Sequence, residues 1–298
     1  MRVITGIKDM RSVSKEARMS GKTVGLVPTM GFLHEGHLSL IRAAAGECGF
    51  VAVSVFVNPT QFGEGEDLES YPRDLERDTG LAEEAGADVV FAPGVEEMYP
   101  DGAGTVVHAP PGLTGVLCGR SRPGHFTGVA TVVLKLFNIV APDRAYFGRK
   151  DAQQCAVVKR MVRDLDVPVE IKVMPVVREK DGLAMSSRNT YLSPEGRSTA
   201  RAVHKALRKA EEMVCSGILS ADEVKAGMYK ILNKAEGLEV EYIEIVDPET
   251  MEARSDAGAN ALIAVAARVG GTRLIDNILV SSEQWMVSDR RRGVGNDE

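Results

Sequence analysis

Val24-Gly25-Leu26-Val27-Pro28-Thr29-Met30-Gly31-Phe32-Leu33-His34-Glu35-Gly36-His37 is the stretch that decides the fold. The apolar run Val24–Val27 leads into a tight turn, and an amphipathic run begins at Leu38. A strand that enters a helix through a Gly-containing turn builds an anion site. The first amides of the helix have no internal acceptor, and the helix dipole favours negative charge there. His34 and His37 are two of the five histidines in the chain. Three residues apart at a helix entry, they share one face. The reading is a nucleotide site in which imidazoles meet a phosphate chain. It is neither the Gly-x-Gly-x-x-Gly fingerprint nor the Gly-x-x-x-x-Gly-Lys-[Ser/Thr] loop. A metal pair would need further ligands, and no Cys or third His lies close by in the sequence. Two helix-start histidines that merely cap or face solvent are the plain alternative.

The same alternation continues outward. Thr23–Val27, Val51–Val57, Asp88–Ala92, Ala145–Phe147 and Val169–Val173 read as strands, and Gly36–Cys48, Leu75–Ala85, Thr127–Val140 and Asp151–Leu165 as helices. Near-continuous apolar strands alternating with helices predict an α/β fold, a Rossmann-like parallel sheet with helices on both faces. Ligands in such folds sit beyond the carboxyl ends of the strands. Composition shifts near Val177–Asn189. Pro194–Ser216 and Ala221–Lys234 then read as helices, and Val240–Asp247, Ala261–Ala267 and Thr272–Val280 as strands. The expectation is a Rossmann-like nucleotide-binding domain over residues 1–178 and a smaller α+β C-terminal domain over 179–280. Residues 281–298 are polar, contain Arg290-Arg291-Arg292, and read as a mobile tail.

Two further segments carry chemistry. Phe147-Gly148-Arg149-Lys150-Asp151-Ala152-Gln153-Gln154 follows a strand candidate and opens a helix, and Asp181-Gly182-Leu183-Ala184-Met185-Ser186-Ser187-Arg188-Asn189 is small, polar and cationic. Each by itself reads as a solvated loop. Together they offer Lys150, Arg188 and the hydroxyls of Ser186 and Ser187, groups suited to neutralising a phosphoryl centre.

The formal net charge of -6 disfavours a nucleic-acid partner, which would show a basic surplus. No apolar run reaches the ~20 residues that span a bilayer, so no membrane partner is expected. The first residues lack the basic-then-apolar pattern of a signal peptide. Cys48, Cys118, Cys155 and Cys215 are scattered, which argues against a zinc site or a disulfide framework and fits a cytoplasmic setting.

At its motifs the chain resembles the pantothenate synthetase family, from about Gly25 to Asn277. Pro28–His37, Asn58-Pro59-Thr60-Gln61-Phe62, Arg122-Pro123-Gly124-His125-Phe126, Phe147–Gln154 and Met185–Asn189 resemble that family's signature set in order. His34–His37 is similar to the HxGH element of the nucleotidyltransferase and class I aminoacyl-tRNA synthetase superfamily, and Met185–Arg188 to its second, mobile loop. Thr127 stands where many relatives are expected to carry an acidic residue.

The resemblance implies an ATP-dependent condensation of pantoate with β-alanine to pantothenate. A pantoyl adenylate forms on the way, and AMP and pyrophosphate are released. ATP is implied as a substrate, with Mg²⁺ delivered on it and no protein ligand for the metal. A homodimer is implied as well. By the same resemblance ATP is lined by Met30, Gly31, Phe32, Leu33, His34, Glu35, Gly36 and His37, and by Gly148, Arg149, Lys150 and Asp151. Val177 and the loop Met185, Ser186, Ser187 and Arg188 complete that lining. His37 is the implied proton donor, with His34, Lys150 and Arg188 also catalytic. Gln61 and Gln154 are implied on pantoate, and Gln61 also near β-alanine; amides both donate and accept. The loop with Met185–Arg188 is expected to bridge the two domains. A nucleotidyltransferase with a phosphate acceptor would want further cations in place of Gln61 and Gln154. A regulatory protein without turnover would have no need of Lys150 and Arg188.

Overall fold

A computed structural model of the chain describes residues 1–102 and 104–280; the expected tail over 281–298 lies outside the described residues. The chain forms two compact units and crosses between them several times. The first unit holds Met1–Arg149, Gln154–Val177 and Met185–Ser187; the second holds Lys150–Gln153, Arg178–Ala184 and the chain from Arg188 onward.

In chain order the first unit contains β1 (Arg2–Ile4), α1 (Ile7–Met19), β2 (Val24–Thr29), α2 (Glu35–Glu47), β3 (Phe50–Val55), α3 (Leu75–Glu84) and β4 (Val89–Phe91). The short helices α4 (Val95–Met98), α5 (Pro111–Thr114) and α6 (Leu117–Ser121) follow, then α7 (His125–Val140), β5 (Arg144–Gly148), α8 (Ala152–Asp164) and β6 (Glu170–Met174). The first two residues of α8 belong to the second unit. The six strands form one parallel sheet in the order β1-β4-β3-β2-β5-β6.

Strand alternation assigns the two faces. Val27, Val51, Val53, Val90 and Tyr146 pack with Leu40, Ile41 and Ala44 of α2 and with Ala82 and Ala85 around α3. Their neighbours Leu26, Ala52, Val89 and Ala145 lie in one register row and are equally buried. They point to the face where α7 meets α1 and β2. Helices therefore cover both faces, as the apolar runs predict.

Two expectations change at the ends of elements. β1 and α1 escape the sequence reading because β1 is three residues long and α1 buries only Met10, Ser14 and Ala17. β2 runs on through Pro28 and Thr29, residues read above as turn. Pro28 fits a central strand because pairing of β2 with β5 stops at Leu26↔Ala145, while pairing with β3 continues to Thr29↔Val55. Its missing N–H therefore interrupts no ladder on the β5 side. From β2 the chain proceeds outward through β3 and β4 in one direction and later through β5 and β6 in the other. The crevice between the carboxyl ends of β2 and β5 is thus a topological switch point.

The second unit contains α9 (Pro194–Cys215), α10 (Ala221–Leu232), β7 (Leu238–Val246), β8 (Ala261–Val269) and β9 (Thr272–Val280). The strands form an antiparallel sheet, β7-β8-β9. Gly270 and Gly271, with φ 54° and 83°, make the two-residue turn between β8 and β9. Val203, Leu207, Val224 and Met228 of the helices share a core with Ile243 and Val265 of the sheet. This is the smaller α+β architecture expected from the sequence. Among the described residues no helix is long and apolar enough to cross a membrane.

Candidate active site

The turn after β2 is built around a strained residue. Phe32 has φ 50°, a left-handed conformation that a bulky side chain adopts at a cost of about 1–3 kcal/mol. Asp78, fully buried on α3, holds it there. Its Oδ2 accepts from Phe32 N–H and its Oδ1 from Leu33 N–H, both at 2.6 Å. Burial pushes the Asp78 carboxyl above its usual range, and the two amide donors oppose that shift without cancelling it. The adjacent Arg77 donates to Leu33 O at 3.0 Å and lays its guanidinium 5.1 Å from the centre of the Phe32 ring.

The helix begins one residue earlier than its expected start at Gly36. His34 is its N-cap and His37 stands three residues on. The two rings stack with centroids 4.0 Å apart. His34 N–H donates to His37 Nδ1 at 3.4 Å. An Nδ1 that accepts leaves the single proton of a neutral imidazole on Nε2. A Cβ on Gly36 would sit 2.9 Å from His34 Cε1, which explains the glycine of the motif.

Gln61 lies in the 3-10 turn Pro59–Gln61 beyond β3. Asn58, buried just before it, donates to Gln61 Oε1 at 3.1 Å and to Gly128 O at 3.2 Å. Asn58 Oδ1 accepts from the Tyr99 hydroxyl at 2.8 Å and from Thr60 Oγ1 at 3.0 Å. With Oε1 engaged, Gln61 presents its NH₂, which lies 3.1 Å from Met30 Sδ. A Cβ on Gly128 would meet Thr60 O at 2.3 Å, so only glycine lets α7 approach this turn. His125 donates from Nδ1 to Gln61 O at 2.8 Å. The donor-only Arg122 guanidinium fixes that tautomer by bonding Nε2 at 3.0 Å. Arg122 also grips Glu66 through two 2.6 Å bonds. Burial would raise the Glu66 carboxyl, but Arg122 outweighs it and holds it below the usual range.

The first unit brings Met185–Ser187 against the His34–His37 turn. Met185 N–H donates to Val177 O at 3.0 Å, Ser187 Oγ donates to Phe32 O at 3.3 Å, and Met185 Cβ lies 3.5 Å from where a Cβ on Gly36 would stand. Gly148 closes β5. Arg149 follows half-buried, its guanidinium pulled down by burial. Gln154 is half-buried on α8, and among the described residues its side-chain amide makes no hydrogen bond.

The second unit holds Lys150, Asp151 and Arg188. Lys150 Nζ lies 3.5 Å from Asp151 Oδ2, and Lys150 O accepts from Asn277 Nδ2 at 2.9 Å. Arg188 stands half-buried in the 3-10 turn Ser187–Tyr191. The segment ahead of it, residues 178–184, is a hairpin closed by the Arg178–Ala184 bridge and by Glu179 N–H on Leu183 O. Ion pairs brace it: Arg178 to Asp276 at 2.6 Å, Arg197 to Asp181 at 2.9 Å, and Arg197 to Glu179. Asn189 Nδ2 adds a 2.6 Å bond to Glu179. Among the described residues no group of three or more His, Cys, Asp or Glu is gathered to hold a metal ion.

Sequence reasoning missed Asp78, Tyr99 and Gly128 as parts of the site, and left Asn58 without a role. Asn58 alone gives a local signal, a buried-type Asn before Pro that caps a short turn. The others act across 46, 41 and 70 residues of chain.

A parallel sheet whose switch point carries a His-x-Gly-His helix entry, with a Met-Ser-Ser loop seated on it, defines a nucleotide-binding α/β enzyme. The chain belongs to the pantoate–beta-alanine ligase family, whose profile matches residues 2–279. It is 52% identical over 280 residues to a pantothenate synthetase of Acetivibrio thermocellus, covering 94% of this chain and 99% of that one. The fold is similar to a crystal structure of pantothenate synthetase from Thermus thermophilus, with TM-score 0.89, 50% identity, and 94% and 100% of the two chains covered. A pantoate–beta-alanine ligase from Francisella tularensis, crystallised with beta-gamma ATP and beta-alanine, matches at TM-score 0.79 and 34% identity, covering 94% and 97%.

Proposed function

We propose that the chain condenses pantoate with β-alanine in two steps. In the first, a pantoate carboxylate oxygen attacks the α-phosphorus of ATP. The bond from that phosphorus to the β-phosphate oxygen breaks, and pyrophosphate leaves with its electron pair. In the second, the amine of β-alanine attacks the acyl carbon, AMP leaves, and the nitrogen loses a proton to give pantothenate. Activation is needed because hydroxide is a poor leaving group from a carboxylate and AMP is a good one.

The observation that carries this reading is the seating of Met185–Ser187 on the His34–His37 turn, at the switch point of the sheet. Family membership supports the choice of substrates. His37 is assigned as proton donor, in keeping with its Nε2–H, and His34 as a donor to the triphosphate. Lys150, a compact cation, is assigned to the α-phosphate and the attacking carboxylate. Ser186, Ser187 and Arg188 are assigned to the β- and γ-phosphates. Met30–His37, Gly148–Asp151, Val177 and Met185 line the nucleotide. Gln61 offers pantoate a donor, and Gln154 an unengaged amide. Mg²⁺ enters as the phosphate complex of ATP, a form in which phosphate oxygens supply most of its ligands. A homodimer is proposed with it on the resemblance described above, a functional division at residues 178/179 on the composition shift near Val177–Asn189, and a cytoplasmic setting on the scattered cysteines.

Isotope exchange between pyrophosphate and ATP isolates the first step. Exchange should require pantoate and should precede a product with the mass of pantothenate once β-alanine is added. His37→Asn and Lys150→Ala should each slow exchange on the order of 10²-fold or more, with ATP binding largely kept, since both contacts strengthen as charge develops. Exchange without pantoate, or near-normal exchange in both variants, would overturn the reading.

A further inference from the structure

β9 reads Thr272-Arg273-Leu274-Ile275-Asp276-Asn277-Ile278-Leu279-Val280, a strand whose apolar stretch from Leu274 to Val280 is interrupted by two polar residues. Asp276 is 4% exposed and Asn277 3%. A buried charged or amide group is costly unless every partner is present, and a well-packed apolar pair in such a place is often as stable or more so. Their presence mid-strand therefore asks for a purpose beyond holding the sheet together.

Their partners supply one. Successive strand residues point to opposite faces, so the two side chains reach different segments from one place. Asn277 Nδ2 donates to the main-chain oxygen of Lys150 at 2.9 Å. Asp276 takes the Arg178 guanidinium through both oxygens, at 2.6 and 3.1 Å. Arg178 also donates to Asn277 O at 3.5 Å and to Gly182 O at 3.2 Å. Asn277 N–H donates to Asp276 Oδ1 at 2.8 Å. Arg178 opens the hairpin that runs into Met185–Arg188. His204 of α9 lies against the tip of that hairpin, where a Cβ on Gly182 would be 2.2 Å from its Nδ1.

We infer that Asp276 and Asn277 form a positioning pair for adenylate formation. Asn277 fixes the main chain at Lys150, and Asp276, through Arg178, fixes the hairpin that delivers Arg188. The two cations come from segments 38 residues apart in sequence, 150 and 188, yet both are referenced to adjacent residues of one strand. A shared reference keeps their spacing constant when either segment moves. Neither residue touches substrate in this account, which rests on the roles given to Lys150 and Arg188 above.

The test is pyrophosphate–ATP exchange on the full chain, with thermal unfolding in parallel. Asn277→Ala should lower the exchange kcat about tenfold or more, as expected for a displaced catalytic group, and change the KM for ATP less than about threefold. A merely structural role would lower exchange no more than Ile263→Val, a change in the core of β8 that touches neither segment. The decisive comparison is Lys150→Ala with and without Asn277→Ala. If Asn277 acts through Lys150, the double variant matches Lys150→Ala within about twofold. Asp276→Asn, which keeps the acceptor oxygen and loses the charge, should retain more exchange than Asp276→Ala. Asn277→Ser leaves a polar group but falls short of Lys150 O, and serves in place of Asn277→Ala if that variant does not fold. Multiplicative losses in the double variant, or Asn277 variants no slower than Ile263→Val, would overturn the positioning role. An absence of pantoate-dependent exchange in the unmodified protein would instead overturn the functional reading beneath it.

Discussion

The turn at Phe32–His37 and the hairpin ahead of Arg188 are held by opposite means. The turn hangs from main-chain amides: Phe32 and Leu33 N–H on the buried Asp78, and Gly31 N–H on Thr29 Oγ1 at 3.1 Å. The hairpin is braced from its side chains, by Arg178 on Asp276 and Arg197 on Glu179 and Asp181. Amide–carboxylate bonds in a dry pocket are insensitive to salt and fix the backbone itself. Ion pairs on a partly exposed surface are screened by salt, and they fix the backbone only through flexible side chains. The Arg197 side chain is 35% exposed, so its pairs belong to the weaker kind. The first motif is therefore fixed through its backbone amides, and the second chiefly through side chains, with the Arg178–Asp276 pair its buried brace and the Arg197 pairs its salt-sensitive ones.

The largest effect should come from removing the buried anchor of the turn. Asp78→Ala leaves two buried amides without acceptors, at about 1–3 kcal/mol each, and releases the left-handed Phe32. Melting should fall by several degrees and pyrophosphate exchange should drop more steeply than stability. Asp78→Asn can satisfy only one of the two amides and should fall between. If Asp78→Ala keeps full exchange activity, the turn is not pre-formed by this contact.

A smaller effect should separate the hairpin from the turn. Raising salt from low to about 1 M should speed amide hydrogen exchange over residues 178–189 and leave residues 30–37 unchanged. A non-hydrolysable ATP analogue should slow exchange over 180–190. Arg197→Gln should mimic the salt effect, at a cost of about 1 kcal/mol or less. Equal responses in both segments would erase the contrast.

The smallest effect concerns the Arg122–Glu66 ion pair beside the Gln61 turn. Arg122 holds the Glu66 carboxyl below its usual range, so the pair contributes stability above the unfolded carboxylate value of about 4.5 and loses it as pH falls through the lower folded value. Glu66→Gln should cost about 1 kcal/mol at neutral pH, and the difference from the unmodified protein should vanish in acid. A gap that persists at low pH would mean that packing, not charge, is what the substitution removes.

Much of this was legible in the sequence, for identifiable reasons. β2, β3 and β5 are buried on both faces, so Val24–Val27 and Val51–Val53 are plain apolar runs. The His34–His37 entry is local chemistry, readable within four residues. α1 was not legible because its buried stripe is three residues wide in a charged helix. Asp78 looks like any other acid in Leu75-Glu76-Arg77-Asp78, and its burial is decided by the approach of a turn 46 residues earlier. Asp276 and Asn277 look like an edge-strand interruption, and nothing within β9 names Arg178 or Lys150 as their partners.

At Gly128, two backbones meet with no side chain between them. The spacing between α7 and the Pro59–Gln61 turn is thereby gauged by main-chain atoms alone, which do not change size from one sequence to another. Drift in the surrounding sequence cannot widen or narrow it by degrees. Any larger residue at 128 must push α7 and the Pro59–Gln61 turn apart together, carrying the Gln61 amide with them. Any adjustment beside the Gln61 amide has to come from side chains, and Met30, whose unbranched thioether already accepts from that amide at 3.1 Å, is the adaptable kind.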